Sequence, residues 1–213
     1  MKKLSLLFTK DGLQWHISKG KTVLEEAFYF VTEETSPHLV EEKLDDVLKF
    51  DDYKEIEVIS ALNHFSLTPD TFAEHELGYK LISYNAPVDE ANEELMLSVN
   101  KKFAVQFYYT FPKHFYQKIK AKKLPTKFNF SGEKFLNALT VKNHKEIHIN
   151  LYHHQVEFFA FENKKVVLYN NLDADSEVDF LYFIMFSLSK INFGTAETHF
   201  HIYGETHENE TFI

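Results

Sequence analysis

Three histidines at alternating strand positions are the residues of this sequence whose types and spacing could do chemistry. His199 and His201 are two residues apart on one predicted strand, so their side chains share a face. His148 lies on the expected parallel neighbour of that strand. Imidazole nitrogens are common ligands of zinc and similar ions. Tyr203 points the same way, and Glu205 and His207 lie beyond it. The pattern predicts either a metal site, whose ligand geometry the sequence does not fix, or a polar sheet face that is solvated or is covered by a partner or a C-terminal helix.

The composition excludes several kinds of site. The chain has 213 residues, no Cys and a formal net charge of −9. Without Cys there are no disulfides, thiolate nucleophiles or iron–sulfur clusters. All 23 basic residues are Lys, so the planar guanidinium that binds phosphate bidentately is absent. We therefore expect no nucleic-acid partner. Nothing forms a long apolar run or a signal peptide, so we also expect no membrane insertion and a cytoplasmic location.

The strands that carry these histidines belong to an internal repeat. Residues 3–61 and 146–204 both show a βββαβ order, and an offset of 143 residues superimposes their strands and turns. Such a repeat outweighs any single motif. Three antiparallel strands, a crossover helix and a fourth strand parallel to the first make a mixed sheet. The apolar strand positions that correspond are Leu4, Leu6 and Phe8 with Ile147, Ile149 and Leu151.

The repeat defines the predicted domain organisation. We expect an α/β protein with a first subdomain over 1–65, a linking or inserted α+β region over 66–143, and a second subdomain over 144–213. Within the linking region, Pro69 begins a predicted helix that runs to about Tyr84. In the second repeat, the predicted helix 178–190 is apolar nearly all round, which indicates burial on most sides. Either the rest of the chain or a second subunit would cover it.

Three segments carry a resemblance to a known family: 4–13, 103–112 and 201–204. Over nearly its whole length the chain resembles domain-of-unknown-function family 3822, an uncharacterised bacterial family. The duplicated unit also resembles the ribonuclease H-like halves of the actin-like ATPase superfamily, which includes actins, sugar kinases, heat-shock chaperones and pilus-assembly proteins. The resemblance implies an actin-like ATPase fold and no particular reaction. The superfamily continues with helices after the last strand, whereas this chain stops at Ile213, so we expect a member that is short or truncated.

The superfamily's nucleotide chemistry can be compared with the corresponding turns. Its first phosphate loop reads Asp-x-Gly followed by Ser or Thr, whereas here Asp11 and Gly12 are adjacent and Leu13 follows. An Asp-Gly pair is also ordinary hairpin chemistry. The second loop, at 152–155, contains neither Asp nor Gly, and the adenosine site has the single Gly204 where a pair is needed. The resemblance therefore leaves Asp11, Gly12 and Gly204 as nucleotide-site candidates in a degenerate fold.

These observations favour a function without catalysis. We expect a pseudo-ATPase that acts as a scaffold or protein-interaction module, binds another protein or its own copy, and uses no cofactor or catalytic residue. One alternative is a degenerate ATP-binding kinase or ATPase that uses Asp11 for Mg²⁺. The other is a metal-binding protein that uses His148, His199 and His201. Fold alone does not decide among them.

Overall fold

The chain folds into two compact units, each with its own βββαβ sheet. The computed structural model describes residues 2–36, 38–50, 52–152, 154–174 and 176–204, except for the side chain of Glu177. The first unit ends at Lys134 and the second begins at Phe135. The repeated order and its sheet topology confirm the predicted duplicated α/β fold. The finer division at residues 65 and 143 stays a prediction.

The first unit contains the first repeat and the linking region. Its elements in chain order are β1 (Lys2–Thr9), β2 (Gly12–Lys19), β3 (Thr22–Phe30), α1 (Leu39–Leu48), β4 (Tyr53–Ser60), β5 (Phe65–Pro69), α2 (Gly78–Ser83), β6 (Glu93–Asn100), β7 (Val105–Pro112), α3 (Lys113–Lys120) and β8 (Thr126–Phe130). The helix α4 (Ser131–Ala138) carries the chain into the second unit.

The larger sheet of the first unit has the strand order β3-β2-β1-β4-β8. β1 is antiparallel to β2 and parallel to β4, which the crossover through α1 makes possible. Alternate residues of β1, such as Leu4 and Leu6, are fully buried because they face α1. α1 contributes Leu44 and Val47 to the same core. Each such side chain stabilises the fold by about 1.5–3 kcal/mol.

The linking region supplies a second sheet and one correction. The order β5-β7-β6 places Phe107 of the central strand in a fully buried position. The predicted helix 69–84 is wrong over most of its length. Pro69 is the last residue of β5, a 3₁₀ turn covers His75–Leu77, and α2 begins only at Gly78. β5 is an edge strand of this sheet, where proline is tolerated.

The second unit repeats the arrangement. Its elements are β9 (Lys145–Tyr152), β10 (Gln155–Glu162), β11 (Lys165–Asp173), α5 (Glu177–Lys190) and β12 (His199–Gly204). The strand order is β11-β10-β9-β12, with β12 parallel to β9. Asn163 and Lys164 both have positive φ, 51° and 65°, the backbone that tight two-residue hairpin turns require.

The helix α5 covers one face of this second sheet. Ser176 is its N-cap, and its hydroxyl oxygen accepts a hydrogen bond of 3.2 Å from the Asp179 amide. Phe180, Ile184 and Leu188 pack against the apolar face of β9 and β10. Side chains alternate along a strand, so His148 and its same-face neighbours lie on the opposite side of the sheet from α5. There Phe135 of α4 packs on Phe159.

Candidate functional site

The parallel pairing of β9 with β12 brings three metal-ligand side chains together. His201 lies opposite His148 in the register, and Glu146 comes two residues earlier on the same face of β9. His148 Nε2 lies 2.7 Å and His201 Nε2 3.7 Å from Glu146 Oε2. The ligand atoms of the three residues all lie within 4.8 Å of one another. We call Glu146, His148 and His201 the His–Glu cluster.

Hydrogen bonds hold the Glu146 side chain of the His–Glu cluster in place. Its side chain is fully buried, and Oε1 accepts hydrogen bonds from the amides of Lys142, at 2.8 Å, and Asn143, and from Asn143 Nδ2 at 2.8 Å. Burial alone would raise the pKa of this carboxyl. The Asn143 amide, the His148 ring and the Lys142 amide outweigh burial and lower the pKa to about 2. Glu146 is therefore a carboxylate at neutral pH, and Oε2 faces the two imidazole rings.

His148 is held at both ring nitrogens. Nε2 meets Glu146 Oε2, and Nδ1 lies 3.0 Å from the Tyr203 hydroxyl. Burial lowers the pKa of His148, although the hydrogen bond with Glu146 opposes that shift. A carboxylate only accepts, so the neutral ring donates Nε2–H to Glu146. The His201 ring stacks on the His148 ring, with centroids 4.5 Å apart and planes 17° apart.

Two of the three predicted metal candidates belong to this cluster. His148 and His201 are members, whereas His199 is exposed and its ring is not grouped with them. Glu205 and His207 lie outside the described residues. Sequence reasoning missed Glu146, although its position two residues before His148 on the same strand was the signal that could have found it.

The nucleotide candidates at the first hairpin serve strand pairing. Gly12 has φ +152°, and a Cβ there would lie 1.9 Å from the carbonyl oxygen of Tyr29 on β3. The adjacent Leu13 is fully buried in the core. Asp11 Oδ2 is buried and has no hydrogen-bond partner among the described residues. One carboxylate oxygen beside an apolar side chain does not form the oxygen-rich, phosphate-sharing site that Mg²⁺ prefers.

Gly204 and the second hairpin also serve contacts between strands. Gly204 pairs with Leu151 at the end of β12, and a Cβ on it would lie 2.0 Å from the Leu151 carbonyl oxygen. In the second hairpin, Gln155 is buried and its Nε2 donates to Asn171 Oδ1 at 3.4 Å. The described residues at these turns therefore do not fit a triphosphate with its Mg²⁺.

The helix α5 presents a second candidate site, an apolar face directed away from its own sheet. Its members follow the i, i+3, i+4, i+7, i+8 spacing of one helix face. They are between 48% and 74% exposed: Val178, Leu181, Tyr182, Met185 and Phe186. We call these five residues the outer face of α5. Asp179 and Lys190 flank it at opposite ends of the helix. The expectation that the rest of the chain covers α5 on most sides is wrong for this face.

A continuous surface extends from the outer face of α5 towards the sheet edge. Tyr182 and Phe186 also line a groove with Leu168 and Leu172 of the edge strand β11. Monomeric proteins rarely expose contiguous apolar patches of this kind without a binding role. The outer face is therefore a candidate interaction surface.

Comparison with known proteins identifies the family. The family described as "Protein of unknown function (DUF3822)" matches residues 1–213. The chain belongs to this family. No protein of curated function matches it in sequence. Among the described residues, no helix of this family member is both long and apolar enough to cross a membrane.

Two solved structures illustrate the fold of this family member. A Bacteroides thetaiotaomicron protein of unknown function with an actin-like ATPase fold superposes with a TM-score of 0.81 at 20% identity, over 99% of this chain and 85% of the other. The cytoplasmic domain of EpsL, an inner membrane component of the type II secretion system of Vibrio cholerae, superposes with a TM-score of 0.54 at 10% identity, over 96% and 82%. The chain therefore has an actin-like ATPase fold.

Proposed function

We propose that this protein is a non-catalytic pseudo-ATPase that acts as an interaction module, and that its partner is a second copy of itself. The outer face of α5 carries the proposal. Its five apolar side chains are about half exposed or more, on a helix whose opposite side already packs on the core. Covering such side chains contributes about 25 cal/mol per Å² of apolar surface removed from water. A partner helix of matching pattern would bury them.

Charges at the two ends of α5 favour a second copy in antiparallel orientation. Asp179 lies in the first turn and Lys190 in the last, on the same flank of the outer face. A two-fold axis near the middle of the helix places Asp179 of each copy beside Lys190 of the other. In an antiparallel pair, the positive N-terminus of each helix also lies beside the negative C-terminus of the other, which is favourable. The same surface then serves both subunits, as a two-fold interface requires.

The size of the helix bounds the expected affinity. A 14-residue helix is about 21 Å long at about 1.5 Å per residue. One helix pair of that length buries less than the roughly 800 Å² per partner of a standard stable interface. We therefore expect weak association, with a Kd of about 1–100 μM.

The structural neighbour supports an assembly role for the fold. The EpsL domain, which shares this fold, is a component of a secretion system. By analogy, we infer that the present protein also works in an assembly, in the cytoplasm of a bacterium. The nucleotide turns support the absence of catalysis, because their glycines serve close strand contacts.

Sedimentation equilibrium over a concentration series tests self-association. We expect a monomer–dimer equilibrium for the wild type and a monomer for Met185→Glu, because that change puts a carboxylate at the centre of the outer face. The matched control is Tyr84→Glu, at a 72% exposed aromatic residue of the first unit, which should dimerise like the wild type. A wild type that stays monomeric, or a Met185→Glu variant that dimerises normally, would contradict the proposal.

A charge exchange tests the antiparallel orientation. Lys190→Glu should weaken dimerisation several-fold, because each end then pairs two carboxylates. Adding Asp179→Lys should restore the wild-type Kd, since the opposite charges meet again. Failure of the double variant to recover would rule out this helix orientation.

Thermal unfolding with Mg–ATP tests the non-catalytic part separately. A ligand at about 100 times its Kd adds about 2.7 kcal/mol of stability, a shift of several degrees for a chain of this size. We expect no shift. A clear shift would restore the degenerate kinase or ATPase hypothesis and return attention to Asp11.

A further inference from the structure

One nitrogen of the His–Glu cluster is buried but makes no hydrogen bond within the part of the chain that the structure describes. His201 Nε2 is buried and has no hydrogen-bond partner among the described residues, although the ring is 41% exposed elsewhere. Its separation of 3.7 Å from Glu146 Oε2 is too long for a hydrogen bond. Leaving a polar atom unpaired in this way costs about 1–3 kcal/mol. The nitrogen lies close enough to Glu146 Oε2 for one metal ion to bind both atoms.

The separations of the two imidazole nitrogens from the Glu146 carboxylate oxygen lie close to those around a small divalent ion. Zinc bonds of about 2.0–2.1 Å in tetrahedral geometry separate neighbouring ligands by about 3.3 Å. The distances from Glu146 Oε2 are 2.7 Å to His148 Nε2 and 3.7 Å to His201 Nε2, one shorter and one longer than that value. Shifts of about half an ångström along these two distances, with a rotation of the His201 ring out of its stack on His148, would bring both rings to bonding distance.

The surrounding groups already orient two of the ligands. The amides of Lys142 and Asn143 engage Glu146 Oε1, which leaves Oε2 for the ion. Tyr203 lies at His148 Nδ1, the second nitrogen of a ring that would bind through Nε2. Metal-binding histidines and carboxylates characteristically have such outer partners. The Phe161 ring meets His148 edge-on, with centroids 5.4 Å apart, and forms an apolar wall.

We propose that Glu146, His148 and His201 form a zinc-type site with two imidazole nitrogens, one carboxylate oxygen and an open fourth position. In the metal-free protein, His148 Nε2–H donates to Glu146. When the ion binds, it takes the place of that proton, and the neutral ring carries its proton on Nδ1, where it donates to the Tyr203 oxygen. The exposed side of His201 gives the ion access, and water completes the coordination. The site lies on the face of the sheet opposite α5, so it does not depend on self-association.

Equilibrium dialysis of the metal-stripped full chain against Zn²⁺ tests the proposal, with bound zinc measured by elemental analysis. We expect one zinc per chain. His201→Gln removes one of the three ligands, so binding should weaken at least about 100-fold. Because the His201 side chain is 41% exposed, we expect the protein to stay folded. Tyr203→Phe removes only the outer partner and should weaken binding about 10- to 100-fold.

His199→Gln is the matched control, because His199 lies on the same strand and face but outside the cluster. It should bind zinc as the wild type does. A four-coordinate visible spectrum on adding Co²⁺, lost in His201→Gln, would identify the geometry. No stoichiometric zinc in the wild type, or equal losses in His199→Gln and His201→Gln, would overturn the proposal and leave the cluster as a hydrogen-bonded carboxylate–imidazole group.

Discussion

Replacing Gly12 by alanine tests whether this glycine is needed for strand pairing or for binding phosphate. The first hairpin is the place where the actin-like fold would bind phosphate, yet its glycine meets the backbone of β3. An alanine Cβ at Gly12 would lie 1.9 Å from the Tyr29 carbonyl oxygen, at a φ of +152° that L side chains rarely adopt. Backbone atoms cannot rotate away as a side chain can, so β2 and β3 must separate locally.

The cost follows from two contributions. Backbone strain at such a position costs about 1–3 kcal/mol. Disturbed ladder hydrogen bonds between β2 and β3 add about 0.5–1.5 kcal/mol each. We expect Gly12→Ala to lose about 3 kcal/mol or more, a fall in Tm of about 6–12 °C. The control is Gly20→Ala in the next hairpin, where φ is +63° but nothing lies within 4 Å of the added Cβ. It should cost about 1–2 kcal/mol.

Urea and thermal unfolding of the two variants distinguish the strand-contact explanation from the nucleotide explanation. Circular dichroism at 222 nm would follow the unfolding, with and without Mg–ATP. A Gly12→Ala variant as stable as Gly20→Ala would refute the strand-contact explanation. A normal stability combined with loss of a wild-type ATP effect would show that this glycine serves a nucleotide.

Three further predictions concern stability. Ile184→Ala, in the core-facing side of α5, should cost about 2–5 kcal/mol by urea unfolding. Ser176→Ala should cost about 1 kcal/mol, because the Asp179 amide loses its cap, whereas Val178→Ala at a 74% exposed position should cost less. Burial would raise the pKa of Glu57, but the ion pairs with Lys134 and Lys3 outweigh burial and lower it. The Glu57 carboxylate therefore stabilises the fold at pH values above its ordinary pKa of 4.5, and this stabilisation is lost as the pH falls below that value. Glu57→Gln should therefore be about 2 kcal/mol less stable than wild type at pH 7, and the difference should shrink in acid denaturation profiles.

The sequence was most informative where a local pattern was repeated. Alternating apolar residues, two hairpin turns and a crossover helix occur twice, so the pairing of β1 with β4 and of β9 with β12 followed from topology rules. The linking region offered no repeat, and the helix at 69–84 was overpredicted. Pro69 looked like a helix start, but pairing with Val105 on β7 extended β5 through it.

The candidate sites were predictable only in part. Strand alternation placed His148 and His201 on one face, but it could not exclude His199, since two-residue spacing does not fix distances between side chains. Strand alternation could also have placed Glu146 on this face, but only its amide partners show that Oε2 is directed to the two rings. An apolar helix pattern likewise cannot say which side remains open, because exposure of α5 depends on what the rest of the chain covers.

The core-facing side and the outer face of α5 can be substituted independently of each other. The residues that hold α5 to its own sheet, such as Phe180 and Ile184, are distinct from those on its outer face. If the outer face binds a second copy as proposed, substitutions there would alter what the helix recognises at little cost to folding. Binding specificity can diverge between relatives that keep the same fold, and an engineer could give this helix a new partner without redesigning the core.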